Sequence, residues 1–185
     1  MRKSDIWVIV ALLLLVFAGA VLLEATADGQ SPRRPGPVVG GTENKVGAHY
    51  RHHGRVALND RQRTPGSVDP ALTAEKLCDP KFHTGTVRNV TETEKRQVCA
   101  AYGVATGCPG AGFEIDHLIS IELGGANDVR NLWPQPVDAD GVEGFHTKDK
   151  LENHLHKMVC AGTMPLRQAQ LCISRDWVAC ESQAK

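Results

Sequence analysis

The longest unbroken apolar run lies near the start of the chain, from Ile6 to Leu23, behind Arg2 and Lys3 and ahead of Glu24-Ala25-Thr26-Ala27. Its length is close to the ~18 residues from which a single membrane span becomes possible, and the A-x-A ending at Ala27 suits signal peptidase. Residues 1–27 are therefore read as a signal peptide or an N-terminal membrane anchor, with the remainder outside the cytoplasm under the positive-inside tendency. The pattern then changes to Pro, Gly and basic residues without apolar periodicity, which predicts a flexible linker over 28–63. Within it, the run from Arg51 to Thr64 carries Arg51, His52, His53, Arg55, Arg61 and Arg63 with Asp60 as its one acid. That run reads as a solvated arm, or as an arm that attracts phosphate.

From residue 64 onward the apolar positions become periodic. Asp69-Pro70 predicts a short helix through Leu72 and Leu77 to Cys78, stopped by Asp79-Pro80. Thr91-Glu92-Thr93-Glu94 fits a capping box, with Val98 and Tyr102 on one helical face and Gly103 as the stop. Phe113, Ile115, His117 and Ile119 then alternate with Glu114, Asp116 and Leu118, the period-two signature of a strand. Gly124-Gly125 predicts a sharp turn, Asn127-Asp128 adds side chains that bond nearby backbone, and Asn131-Leu132-Trp133 reads as a return strand stopped by Pro134. Past a polar loop at 137–144, Leu151, Leu155, Met158 and Val159 form a helical stripe ended by Gly162. Pro165 opens a last helix whose Leu166, Ala169, Gln170, Ile173 and Trp177 share a side.

Composition sharpens this into one domain. The 185 residues carry 21 Lys and Arg against 21 Asp and Glu, so any nucleic-acid contact has to come from a local basic patch. Few aromatic residues argue against a platform that stacks bases. Cys78, Cys99, Cys108, Cys160, Cys172 and Cys180 contain no C-x-x-C pair, which disfavours a zinc ribbon or a thioredoxin-type site and favours disulfides. Their pairing stays open, although Cys99 and Cys108 flank one turn.

The stretch from Phe113 to Pro136 concentrates the candidate chemistry. Imidazole titrates near neutrality, so His117 can accept a proton at physiological pH, and the Asp116 carboxylate suits a hard cation such as Mg²⁺. On an unbroken strand the two side chains diverge. The motifs DH, GG, N-L and a later H-x-K, within EIDHLISIELGG, NLWPQP and HTKDKLENHLH, resemble the HNH endonucleases of the ββα-metal fold. The resemblance extends more weakly from about Thr64 to Trp177.

That resemblance implies an α+β fold built on a β-hairpin and helix metal finger with additional short helices, spanning 64–185. It implies an exported endonuclease that hydrolyses DNA with a divalent metal, Mg²⁺ or else Mn²⁺ or Zn²⁺. His117 would be the general base, Asn131 would orient it or the metal loop, and Asp116 and His146 would hold the ion. The segment between Asn131 and the helix is longer than in the compact motif, with Asn153 and His156 as further candidates for the last ligand. Lys148 and Lys150 read as a solvated face or as weak phosphate contacts, and Trp133 as core. The expected partners are nucleic acid and, through an uncleaved N-terminus, the membrane, with a monomeric chain. The alternative is a disulfide-stabilised, secreted or surface-anchored binding domain that kept the scaffold without catalysis.

Overall fold

The computed structural model describes residues 49–104, 108–110 and 112–184. The proposed signal peptide or anchor, and the linker up to residue 48, lie outside the described residues. Among the described residues no helix is long and apolar enough to cross a membrane.

The architecture is α+β, with two separate antiparallel hairpins and helices packed around them. Strands β1 (Arg51–His53) and β2 (Val56–Leu58) make the first hairpin, tightened by Gly54 at φ 59°. This part of the chain was expected to be linker, and it is instead folded. Val56, Ala57 and Leu58 are buried, and the basic residues around them bind backbone of the same domain. Arg51 donates to the Asn59 and Arg175 carbonyls, Arg61 also reaches Arg175, and Arg63 pairs with Asp60 and the Ala101 carbonyl. Three short apolar residues are too few to show periodicity, and the guanidinium groups serve as donors to carbonyls at helix C-termini.

Helix α1 (Ala74–Leu77) is shorter than expected, because Asp69 Oδ1 accepts from Ala71 N–H in a turn and Thr73 caps the helix that follows. Helix α2 (Glu92–Ala101) has the expected capping box between Thr91 and Glu94, and it buries Val98 and Tyr102. The second hairpin pairs β3 (Phe113–His117) with β4 (Leu132–Pro136), placing Asp116 opposite Trp133 and His117 opposite Leu132. Pro134 sits inside β4 and does not end it, since a two-stranded ribbon leaves each strand one edge on which no ladder N–H is needed. Helix α3 (Phe145–Cys160) follows, and His146 lies in its first turn.

The predicted last helix is two. Helix α4 (Leu166–Arg175) breaks at extended Asp176, whose Oδ1 accepts from Ala179 N–H at the start of α5 (Trp177–Ala184). Three disulfides fasten these pieces: Cys78–Cys160 joins the ends of α1 and α3, Cys99–Cys108 closes the turn after α2, and Cys172–Cys180 clips α4 to α5. Such bridges belong to an oxidising environment. Leu151, Leu155 and Val159 on α3 pack with Leu58, Ile173 and Trp177, while Val98, Tyr102, Ile115 and Trp133 form a second cluster beneath the β3–β4 hairpin.

Candidate active site

The chain between β3 and β4 is held in shape from inside. Gly124 adopts φ 77°, and a Cβ on Gly125 would stand 1.7 Å from the Ile119 carbonyl oxygen, so only glycine fits there. Asn131 is fully buried against the same loop. Its amide nitrogen donates to the Ile119 and Ala126 carbonyls at 2.9 and 3.0 Å, and its oxygen accepts from Ile119 N–H at 3.0 Å. Asn131 therefore holds the loop, one of the two roles expected of it, and its amide bonds go to loop backbone and not to the His117 ring.

The residue that does touch the ring is Asn127, read from the sequence only as a turn former. Its Oδ1 lies 3.2 Å from His117 Nε2. Two backbone contacts fix which way this amide faces: Nδ2 donates to the Val87 carbonyl at 2.7 Å, and Oδ1 accepts from Asn89 N–H at 3.1 Å. An oxygen facing Nε2 requires Nε2 to carry the proton, which leaves Nδ1 as the lone-pair acceptor. Nδ1 is itself buried and has no hydrogen-bond partner among the described residues. Burial depresses the imidazole pKa below its ordinary value; Asp116 and the Asn127 hydrogen bond oppose that, while Arg88 and Lys148 add to it. Burial thus favours the neutral ring, which holds a buried acceptor that no protein group occupies.

Asp116 and His117 point to opposite faces of β3, as the alternation required. Asp116 Oδ1 accepts from the His117 N–H at 2.8 Å, and Oδ2 pairs with Lys148 Nζ at 2.6 Å. Lys148, expected on a solvated face, is fully buried, and its ammonium also reaches Glu152 and the His117 carbonyl. Two neighbouring carboxylates hold the Lys148 pKa above its ordinary value against the effect of burial, and burial raises that of Glu152. The α3 spacing carried this signal, because Lys148 and Glu152 share the buried stripe of Leu151, Leu155 and Val159.

This arrangement does not fit the expected metal pair. Both Asp116 oxygens are engaged, one of them by a cation already in place. His146 is exposed, with its ring 4.3 Å from that of Phe145 and its N–H donating to Asp138 Oδ1. Among the described residues, the three or more ligating side chains that come within 4.8 Å of one another are Cys78, His156 and Cys160, and both cysteines are spent in a disulfide. His146 instead influences Glu114 and Asp149, two carboxyls whose pKa is raised by burial first and then by Asp116. Of the other candidates for the last ligand, His156 donates from Nε2 to the Leu77 carbonyl at 3.1 Å, and exposed Asn153 donates to the Asp149 carbonyl.

His117 lines a cleft of about 550 Å³ together with Arg88, Lys95, Glu114, Phe113 and Phe145. Arg88 is exposed at this cleft, and Lys95 reaches it from α2 while pairing with Glu92 at 2.7 Å. A neutral imidazole beside two cations is chemically able to take a proton from water next to an anionic substrate. Comparisons with family models, curated proteins and solved structures found no match to the chain.

Proposed function

We propose that the domain is an HNH-type endonuclease that hydrolyses phosphodiester bonds, with DNA as substrate, and that it works outside the cytoplasm as a secreted or cell-surface protein. The observation that carries the reading is the state of His117: a buried ring at the cleft whose Nε2–H is fixed by Asn127 and whose buried Nδ1 has no protein partner. The order of strand, glycine turn, return strand and helix around the DH pair supports it. A water admitted from the cleft gives its proton to Nδ1, its oxygen forms a new bond to phosphorus, and the bond from phosphorus to the 3′ oxygen breaks, that oxygen taking a proton from solvent to leave as a hydroxyl while the 5′ side keeps the phosphate. Arg88 and Lys95 draw the phosphate into the cleft and offset the charge that grows on its oxygens. Asn131 acts one step back by holding the loop that presents Asn127.

A divalent metal in an HNH site supplies charge stabilisation at the phosphate and the leaving oxygen. Because Asp116 is committed to Lys148, no step above is routed through such an ion. The test is incubation of the purified domain with plasmid DNA and with RNA, in Mg²⁺, Mn²⁺, Zn²⁺ or EDTA. Nicking of plasmid supports the reading. Intact substrate under every condition contradicts it and favours a non-catalytic binding domain.

A further inference from the structure

The backbone of His117 is clasped on both sides. Its N–H donates to Asp116 Oδ1 at 2.8 Å, and its carbonyl accepts from Lys148 Nζ at 2.8 Å. The same Nζ binds Asp116 Oδ2 at 2.6 Å and Glu152 Oε1. All three ammonium hydrogens thus have an oxygen partner, and with no exposed surface the side chain has no route to substrate. We propose that Lys148 is the positioning residue of the base, its ammonium standing in the finger as the built-in cation between β3 and α3.

Two carboxylate oxygens and one carbonyl converge on Nζ, and an all-oxygen set of this kind is what a hard divalent cation takes. Asp116 is the hinge of the arrangement, since it bonds the His117 N–H with one oxygen and Lys148 with the other. Lys148 therefore fixes both backbone groups of His117, one directly and one through Asp116, and with them the ring's approach to Asn127. The assignment rests on His117 acting as the base, and it reinterprets Asp116 as part of the clasp and not as a metal ligand. A lysine kept only to balance charge would need the carboxylates but not the carbonyl.

Lys148→Met alone strands two buried carboxylates and endangers the fold. The informative variant is Lys148→Met/Asp116→Asn/Glu152→Gln, which is neutral throughout and similar in volume. Its kcat for plasmid nicking is expected to fall about 10- to 100-fold while KM stays nearly constant, the sign of a misplaced reacting group. Imidazole ¹⁵N shifts should show a single Nε2–H tautomer of His117 in the parent and both tautomers in the variant. Parental kcat with a single tautomer in the variant would overturn the assignment, as would a change confined to KM.

The parent alone gives a second readout that needs no variant to fold. Its Lys148 ammonium should be visible at neutral pH as a slowly exchanging, hydrogen-bonded NH₃⁺, with the His117 amide among the slowest to exchange. A rapidly exchanging Lys148 ammonium overturns the assignment. These spectra do not depend on cleavage, so an inactive parent would sink the nuclease reading while leaving Lys148 separately tested.

Discussion

At the scale of the residue, Asn127 decides what His117 can do. Turning one amide selects the tautomer of the ring, and the two backbone partners of that amide prevent it from flipping back. Asn127→Ala removes the selection but leaves the base in place. Nicking is expected to slow about tenfold or more, with the imidazole ¹⁵N spectrum showing mixed tautomers, in keeping with the loss typical of an outer partner of a site histidine. An unchanged rate and spectrum would show that the ring is held by something else.

The depressed pKa of His117 also fixes the direction of the pH response. The unfolded chain binds its proton at about pH 6.5, whereas the folded ring binds it only at lower pH. Burial of the neutral ring therefore stabilises the fold above that value, and this contribution is lost as pH falls through the folded pKa. Nicking should accordingly stay level from pH 8 down to about 6.5 and decline only in more acid buffer. An acid limb displaced above pH 7 would contradict a buried neutral base.

At the scale of the element, helix α3 carries both the core stripe and the Lys148–Glu152 pair, and its two ends are anchored separately. Asp138 accepts from the His146 and Thr147 N–H groups at one end, and the Cys78–Cys160 disulfide ties the other to α1. That bridge spans 82 residues of chain, against 8 for Cys172–Cys180. In the loop-entropy account the long bridge contributes about 4.5 kcal/mol and the short one about 2.5 kcal/mol. Cys78→Ala/Cys160→Ala should therefore lower unfolding free energy in urea by more than Cys172→Ala/Cys180→Ala does. In the turn between the strands, Gly125→Ala is expected to be more damaging than a surface glycine substitution, because the new Cβ has nowhere to go. Gly141→Ala, with open space around it despite its positive φ, is the comparison.

At the scale of the whole molecule, the sequence foretold the elements that carry strong local signals. The capping box at Thr91, the alternation through Phe113–His117 and the stripe on α3 each state their structure in a few neighbouring residues. The first hairpin did not, because Val56 and Leu58 pack against Leu155, Ile173 and Trp177, and Arg51 and Arg61 reach the Arg175 carbonyl, all far along the chain. The site divides in the same way. His117 stood out by residue type and context, whereas its contact with Asn127 depends on a loop folded around Asn131. Asp116 was identified as important, but whether its partner was a metal or an ammonium depended on which residue of α3 arrived opposite β3.

With neutral overall charge, the proposed attraction of substrate falls to the cleft, which Arg88 and Lys95 line together with Glu114. Arg88→Ala should raise KM for plasmid with little change in kcat and flatten the dependence of binding on salt. Equal salt slopes for the two proteins would remove Arg88 from the phosphate path.

The claim on which everything else rests is that His117 takes the proton from water. It is tested most directly by single-turnover nicking of supercoiled plasmid with the parent and with His117→Ala, after thermal unfolding has shown both to be folded. The account predicts a loss of about 10²- to 10⁴-fold in rate for the variant, the range for removal of a general base. Equal rates for the two folded proteins would contradict it.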